Sequence, residues 1–299
     1  MNNPHDKFFK KSISKKETAK GFLKHYLPND LLAKIDLNTL QIEKDSFTNE
    51  ELEEYFSDTV YKAKLDEKES YFCFLFEHKS YPDAQITLQL LKYMLRIWEL
   101  KKEQKTEKLP LIVPLLIYHG RDDWNIGVKL SDIVEVIPPE AEEYLPDFKY
   151  ILFDLSSYSK EEIKGTGQMR VFIDVLSAVF QDDFEEKFHD AISVLKQLEE
   201  QNKAIDYFQT VVKYIMEADA IDTNLEEVTK IVNRVSKEKE GEIMSIAEEL
   251  RKEEREKARK EKLKIAKNLL DMGMNIHQIS EATELNEEQI KKLKRKSQH

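Results

Sequence analysis

The chain contains 299 residues, of which 40% are apolar and 35% are charged, and it carries a net charge of −11. This length suggests two domains, and a charged fraction above the usual quarter or so is typical of long solvated helices around a modest core. A single cysteine excludes a disulfide framework and a cysteine-based zinc site, and the low Gly and Pro content argues against a loop-rich all-β protein.

The longest apolar run, residues 109–118, is interrupted by two prolines and is half as long as a membrane-spanning helix requires. The N-terminus has lysines around Phe8 and Phe9 and no apolar signal segment. We therefore expect a soluble, cytoplasmic protein with no membrane partner.

The charge is unevenly distributed along the chain. Residues 1–30 carry +4 and residues 251–299 carry +5, whereas residues 131–250 carry −16. Basic ends of this kind are compatible with local contacts to phosphate groups, although the acidic middle would slow non-specific binding to DNA. Basic ends are also common on ordinary solvated helices, so charge alone leaves both interpretations open.

The first half of the sequence predicts a sheet with helices packed on it. Residues 71–77 are apolar on both faces, which is typical of a buried central strand. The predicted fold class is therefore α/β, in the form of an α+β domain with a mixed sheet. The predicted elements are, in chain order, a helix over 15–26, strands over 37–47, 58–65 and 71–79, a helix over 82–105, and strands over 111–118 and 150–155.

From about residue 159 onward nearly every segment has helical periodicity, with breaks near Gln181, Gln201 and Asp222. The Glu-, Lys- and Arg-rich stretch 248–264 has too few apolar positions for a coiled coil and predicts a solvated spacer helix. We predict four regions, namely a core over 1–157, a helical extension over 158–237, a charged spacer helix over 238–264 and a helix-turn-helix-like tail over 265–299.

Three short helices separated by turns are predicted in the tail, which is the pattern of a helix-turn-helix unit. Asn286 and Gln289 are placed to form a capping box at the start of the third helix. Glu287 and Glu288 at that start would repel phosphate groups, so a role in self-association or regulation is as well supported as DNA binding. The candidate DNA-binding residues of this helix are Lys291, Lys292, Lys294 and Arg295.

The second and third predicted strands flank a polar turn and should form an antiparallel hairpin. If Leu65 pairs with Ser70, then Asp58 lies opposite Glu77. The alternation of side chains along a strand then places Glu77 and Lys79 on one face. Two carboxylates and one ammonium group are thus predicted to converge at one end of the hairpin.

This arrangement suits a hard divalent cation such as Mg²⁺ or Mn²⁺, with Asp58 and Glu77 as the metal ligands. Lys79 would stabilise the negative charge that develops on a phosphoryl group. A role for Lys79 as general base would require its pKa to fall by about three units, which two neighbouring carboxylates oppose. A cross-strand salt bridge between the lysine and either carboxylate is the alternative that spacing alone leaves open.

Six blocks in the first 180 residues resemble the Rpn family of bacterial recombination-promoting nucleases and transposase-like proteins, within the PD-(D/E)XK nuclease superfamily. The resemblance is specific because six separate blocks match in order, and not one short motif. The blocks are PHDKFFK (4–10), ETAKGFLKHYLP (17–28), YFSDTVYKAKL (55–65), YFCFLFEHKSYPD (71–83), LKYMLRIWE (91–99) and LPLIVPLLIYHG (109–120).

The resemblance implies a restriction-endonuclease-like core with a helical C-terminal extension, and Mg²⁺-dependent cleavage of DNA in recombination, mobile-element activity or phage defence, with Mn²⁺ able to substitute. The motif aspartate would be Asp58, and the triplet would be Glu77, His78 and Lys79. Ser57 stands where the motif name has proline. Members of the superfamily often add an acid from the first helix, for which Glu17 is the candidate.

The additional candidate site residues could also have purely structural roles. Glu17 could simply interact with the dipole at the start of its helix. Gln85 and Gln89 could face substrate phosphate or form an ordinary polar helix surface. His119 is predicted to lie in a loop turn, and no role is assigned to His5.

Two other functions remain open from the sequence. The chain could be a non-catalytic DNA- or protein-binding adaptor in which the Asp, Glu and Lys cluster is structural. It could also be a nuclease that acts on RNA or on branched DNA, because the chemistry of the site does not identify the polymer.

Overall fold

The computed structural model describes residues 4–43, 59–77, 82–120, 122–135, 138–155, 165, 167–179, 184–200, 207–218 and 225–297, with the side chains of 73–77 and 295–297 outside the description. The chain divides into two compact units, Met1–Lys239 and Glu240–His299. Within the described ranges, no helix is both long enough and apolar enough to cross a membrane.

The first unit begins with helices and continues with the strands of one sheet. The helices are α1 (Pro4–Ile13), α2 (Lys16–Tyr26) and the single turn α3 (Asn29–Leu32). The strands are β1 (Ile35–Ile42), β2 (Thr59–Leu65), β3 (Lys68–Glu77), β4 (Leu111–Tyr118) and β5 (Ile151–Asp154). Helix α4 (Gln85–Glu103) connects β3 to β4, and two short 3₁₀ helices, Leu130–Ile133 and Pro139–Tyr144, lie between β4 and β5.

The described strands form one sheet in the order β1-β2-β3-β4-β5. The pairs β1–β2 and β2–β3 are antiparallel, whereas β3–β4 and β4–β5 are parallel. The predicted mixed α/β class is therefore confirmed. This pairing brings the start of β2 and the ends of the other four strands to one end of the sheet, which we call the carboxyl end.

The β2–β3 hairpin differs from the predicted register. Thr59 pairs with Phe74 and Leu65 pairs with Lys68, so the predicted pairing of Leu65 with Ser70 is wrong by two residues. The turn contains only Asp66 and Glu67, which have φ values of 47° and 64°. Two consecutive positive φ values produce the tight, twisted turn of a two-residue hairpin. The predicted pairing of Asp58 with Glu77 followed from a longer turn between Leu65 and Ser70. Asp58 itself lies outside the described residues.

Helix α4 covers one face of the sheet. Its apolar stripe packs in two clusters against β2, β3 and β4, as its helical spacing predicts. One cluster joins Met94 and Ile97 to Tyr71, and the other joins Leu90 to Leu116 and Tyr150. These contacts hold the start of α4 near the carboxyl end of the sheet.

Helices α1 and α2 lie on the opposite face. Phe22 and Tyr26 of α2 pack against Phe153 of β5, with ring centroids 5.2 and 4.2 Å apart. The buried hydroxyl of Tyr61 in β2 donates a hydrogen bond of 2.8 Å to the carbonyl of Ile13 at the end of α1. Burial raises the pKa of the Tyr61 phenol, so it stays protonated as the donor in this bond.

Four helices complete the first unit, and their ends agree with the predicted breaks. The first and third of them pack against α1 through aromatic residues, since Phe8 of α1 stacks on Tyr214 at 4.2 Å and contacts Phe172 at 5.9 Å. The helices are α5 (Gly167–Ala178), α6 (Phe184–Glu200), α7 (Tyr207–Glu217) and α8 (Leu225–Val235).

The second unit consists of α9 (Glu240–Asp271), α10 (Ile276–Thr283) and α11 (Glu287–Ser297). Residues 251–261 of α9 are exposed on every side, which agrees with a solvated spacer helix. The end of α9 packs with the two short helices around a small core that includes Ala266, Ile279, Leu285 and Ile290.

Replacing Tyr61 with phenylalanine should destabilise the first unit, because the buried carbonyl of Ile13 would lose its donor. We expect a loss of about 1 to 3 kcal/mol in the free energy of unfolding. Thermal unfolding should show a Tm lower by about 3 °C or more. The matched control is Tyr144→Phe, since Tyr144 is 80% exposed. Equal Tm values for the two variants would contradict this role of Tyr61.

Candidate functional site

The segments that carry the predicted catalytic residues meet at the carboxyl end of the sheet. Glu77 is the last residue of β3, and its Cα partner in β4 is Tyr118. Tyr118 in turn pairs with Asp154, the last residue of β5. Thr59, which follows Asp58 in the sequence, begins β2 at this same end. Asp58, Lys79 and the side chain of Glu77 lie outside the described residues.

Asp154 adds a buried carboxylate to this end of the sheet. It accepts a hydrogen bond of 3.0 Å from the backbone N–H of Trp124. The Trp124 ring lies 4.9 Å from that of Tyr118 in an edge-on arrangement. These contacts fix the loop after β4 beside the carboxyl end. The sequence analysis did not single out Asp154, although its place at the end of a buried parallel strand could have suggested it.

The additional candidates lie on opposite faces of the sheet. Glu17 is exposed in the first turn of α2, whereas Gln85 and Gln89 lie on α4. Gln85 is exposed in the first turn of α4, near the carboxyl end. The half-buried Gln89 donates a hydrogen bond of 3.3 Å to the Tyr93 hydroxyl, which favours the structural alternative for this residue. Glu17 and the two glutamines are therefore not brought together.

The metal ligands predicted from the sequence are of a type that suits a divalent cation. Carboxylates of the two acids predicted from the sequence, Asp58 and Glu77, would be the oxygen ligands that Mg²⁺ prefers. Among the described side chains, no group of three or more His, Cys, Asp and Glu residues could hold a metal ion. That search does not include Asp58 or the side chain of Glu77.

A pair of buried histidines also lies at the carboxyl end, beyond the last residue of β4. His5 of α1 and His119 are 6% and 3% exposed, and their ring centroids are 5.6 Å apart. His5 Nδ1 shares a hydrogen bond of 2.8 Å with the Tyr214 hydroxyl of α7. The ring contact and the hydrogen bond together couple α1 and α7 to this end of the sheet.

Sequence reasoning missed this pair, because it assigned His119 to a loop turn and gave His5 no role. His119 does lie just past β4, as predicted, but its side chain is buried. One sequence feature could have indicated this, since His119 directly follows the longest apolar run of the chain. Burial also raises the pKa of the neighbouring Asp6 carboxyl.

The tail forms the predicted helix-turn-helix arrangement with two capping boxes. Asn286 Oδ1 accepts a bond of 2.9 Å from the backbone N–H of Gln289, and Gln289 Oε1 accepts one of 3.1 Å from the N–H of Asn286. The same reciprocal bonds join Asn275 and Gln278 at the start of α10. The capping prediction for α11 is confirmed.

The candidate DNA-binding lysines of the tail, Lys291, Lys292 and Lys294, are exposed on α11. Lys291 forms an ion pair of 3.1 Å with Glu287, so part of its charge is balanced within the helix. The side chain of Arg295 lies outside the described residues. The arrangement thus presents acidic groups at the start of α11 and basic groups further along it.

Two family models match the chain. The model described as "Putative transposase, YhgA-like" matches residues 3–206, and the model described as "Rpn/YhgA-like nuclease family, C-terminal HTH domain" matches residues 259–295. No solved structure matches the chain.

Several curated proteins of Escherichia coli (strain K12) are similar to this chain. The recombination-promoting nuclease RpnA is 28% identical over 289 residues, which is 96% of each chain. The inactive recombination-promoting nuclease-like protein RpnE is 25% identical over 293 residues, again 96% of each chain. The recombination-promoting nuclease RpnC is 36% identical over 117 residues, or 39% of each chain.

The Asn286→Ala variant should loosen the first turn of α11, because one capping bond is lost. We expect a local cost of about 1 kcal/mol, which speeds amide exchange in that turn about fivefold. Hydrogen exchange followed by mass spectrometry of a peptide covering residues 287–290 measures this directly. Asn286→Asp keeps the acceptor and is the control, so equal exchange in both variants would contradict the cap.

Proposed function

The chain belongs to the YhgA-like family, and from this membership we propose that it is a metal-dependent endonuclease that cleaves DNA phosphodiester bonds. We assign it to recombination, mobile-element activity or phage defence. The observation that carries the proposal is the position of Glu77 at the carboxyl end of the sheet, where β2 begins directly after Asp58. The name of the relative RpnA, which matches 96% of the chain, supports the nuclease assignment.

Asp58 and Glu77 are the residues proposed to hold the metal, which we take to be Mg²⁺, with Mn²⁺ as a substitute. A bound Mg²⁺ would supply Lewis-acid activation of the phosphoryl group and lower the pKa of a coordinated water. The two carboxylates would orient this centre at the end of a rigid buried strand. A rigid strand is a better support than a mobile loop, because small displacements of a ligand weaken catalysis strongly.

Lys79 is proposed to stabilise the charge that builds up on the phosphate during cleavage. Its ammonium group is a compact point charge that suits phosphate oxygen atoms. Two neighbouring carboxylates favour the protonated form of a lysine, so the electrostatic role agrees better with this site than proton abstraction does. Lys79 thus assists the reaction without taking a proton.

The tail is proposed to bind DNA or to regulate the nuclease through self-association. Its helix-turn-helix match and the exposed lysines of α11 support contact with DNA. The acidic start of α11, where Glu287 and Glu288 lie, favours contacts with protein instead. Both roles leave the cleavage chemistry in the first unit.

A second candidate is a non-catalytic adaptor that binds DNA or protein. This candidate is favoured by one observation, because RpnE is named inactive and matches the same 96% of the chain. The sequence supports the catalytic alternative, because both acids and the lysine of the motif are present as Asp58, Glu77 and Lys79. Cleavage assays separate the two candidates.

The purified full chain should cleave plasmid DNA with Mg²⁺ and not with EDTA. Glu77→Gln should reduce cleavage to the EDTA level, and Lys79→Ala should lower the rate about 100-fold or more, as expected for loss of transition-state charge stabilisation. Matched controls lie at the other end of β3, where Glu69→Gln and Lys68→Ala should cleave like the parent.

Circular dichroism and Tm measurements would show that all variants are folded. If the parent is folded and does not cut under any metal condition, the adaptor becomes the better description. If Glu77→Gln cuts as well as Glu69→Gln, then the assignment of the site to the carboxyl end is wrong.

A further inference from the structure

The segment that joins α1 to α2 is strongly basic. Residues 10–20 contain five lysines and a single acid, Glu17, in a chain whose net charge is −11. We call these lysines the basic elbow. Its members are Lys10, Lys11, Lys15, Lys16 and Lys20, of which Lys10, Lys11 and Lys16 are exposed.

The basic elbow is anchored beside the carboxyl end of the sheet. The Tyr61 hydroxyl holds the carbonyl of Ile13, in the middle of the elbow, at 2.8 Å. Tyr61 is the third residue of β2, which begins at the carboxyl end. The carbonyl of Ile13 therefore lies beside β2, at a residue that is three positions after Asp58 in the sequence.

Further contacts fix the elbow to its surroundings. Lys16 and Lys20 donate to the carbonyl and side-chain oxygen atoms of Asn38 in β1, at 3.3 and 3.1 Å. The Tyr207 hydroxyl of α7 donates to Ser12 at 2.7 Å, and the Lys15 ammonium lies 4.3 Å from the Tyr207 ring centroid. The elbow is thus a shaped surface and not a mobile tail.

The local charge of the elbow favours an anionic partner. The acids beside it include Glu17, Asp6, which lies one helical turn before Lys10, and Asp36, whose carboxylate accepts from the backbone N–H of Asn38. Five lysines outnumber these three acids. Because residues 131–250 carry −16, an anionic polymer that approaches the protein would be repelled there and attracted to the elbow.

We propose that the basic elbow binds the phosphodiester backbone of duplex DNA next to the bond that is cleaved. The inference rests on the proposed nuclease function and names the surface that holds its substrate. Lysines on flexible stems contact phosphates without reading bases, so binding here is independent of sequence and sensitive to salt.

DNA suits this surface better than a lipid membrane does. Membrane-surface helices need exposed apolar side chains beside their lysines. The apolar residues of the elbow region, Phe8, Phe9, Ile13 and Phe22, are all buried against the rest of the first unit. The exposed residues of the elbow, 10, 11, 14, 16 and 17, are all charged or polar.

The test is binding of a labelled duplex of about 30 base pairs in EDTA, followed by fluorescence anisotropy from about 50 to 200 mM salt. The full-length variant K10Q/K11Q/K16Q is compared with the parent and with K102Q/K105Q/K108Q. The control lysines are also exposed and lie in the last turn of α4 and just after it, toward the opposite end of the sheet.

For the elbow variant we expect Kd to rise about tenfold or more at the lowest salt. The slope of log K against log salt should fall by about 3, which is about 1 for each lysine. The control variant should change Kd less than about twofold and keep the slope, because its lysines lie away from the substrate.

Equal Kd and slope for the elbow and control variants would overturn the proposal. So would a variant that keeps its DNA affinity and loses binding to phosphatidylserine vesicles, which would identify a membrane surface. If the parent cleaves plasmid while the elbow variant binds like the control, the surface is wrong and the nuclease function stands. A parent that neither binds nor cleaves DNA contradicts both.

Discussion

The candidate site depends on the pairing of β3, the central strand of the sheet. β3 pairs in antiparallel fashion with β2 and in parallel with β4, so the start of one neighbour and the end of the other meet beside Glu77. A sheet that was antiparallel throughout would place the end of β4 at the opposite end of the sheet. The change in pairing direction at β3 thus creates the carboxyl end on which the proposed chemistry relies.

The carboxyl end is supported from both faces of the sheet. On one face α4 packs its apolar stripe against β3 and β4. On the other face the Tyr61–Ile13 hydrogen bond and the His5–Tyr214 hydrogen bond connect this end to α1 and α7. The N-terminal helix and the later helices of the first unit therefore stabilise the same region that the predicted catalytic residues flank. A change in their packing would displace the ends of the strands.

The elements that were predicted well are those whose sequence pattern involves only neighbouring residues. The bounds of β4 agree with the prediction because residues 111–118 are all apolar apart from the tyrosine hydroxyl at the end. The cap at Asn286 agrees because its partner lies three residues away. The predicted hairpin register was wrong because Asp66 and Glu67 adopt positive φ values and form a two-residue turn. The sequence has no Gly or Asn at these positions, which are the residues that usually indicate such a turn. The His5–His119 contact was missed because it joins residues 114 positions apart, and no local pattern encodes such a contact.

The most direct test of the central claim is the location of a bound metal. Crystals of the full chain grown with Mn²⁺ would give an anomalous difference map that identifies the ion independently of activity. We expect a peak between the carboxylates of Asp58 and Glu77 at the carboxyl end, and its loss in Glu77→Gln but not in Glu69→Gln. A map with no peak there, or with a peak that survives Glu77→Gln, would contradict the assignment of this end of the sheet as a metal-dependent nuclease centre.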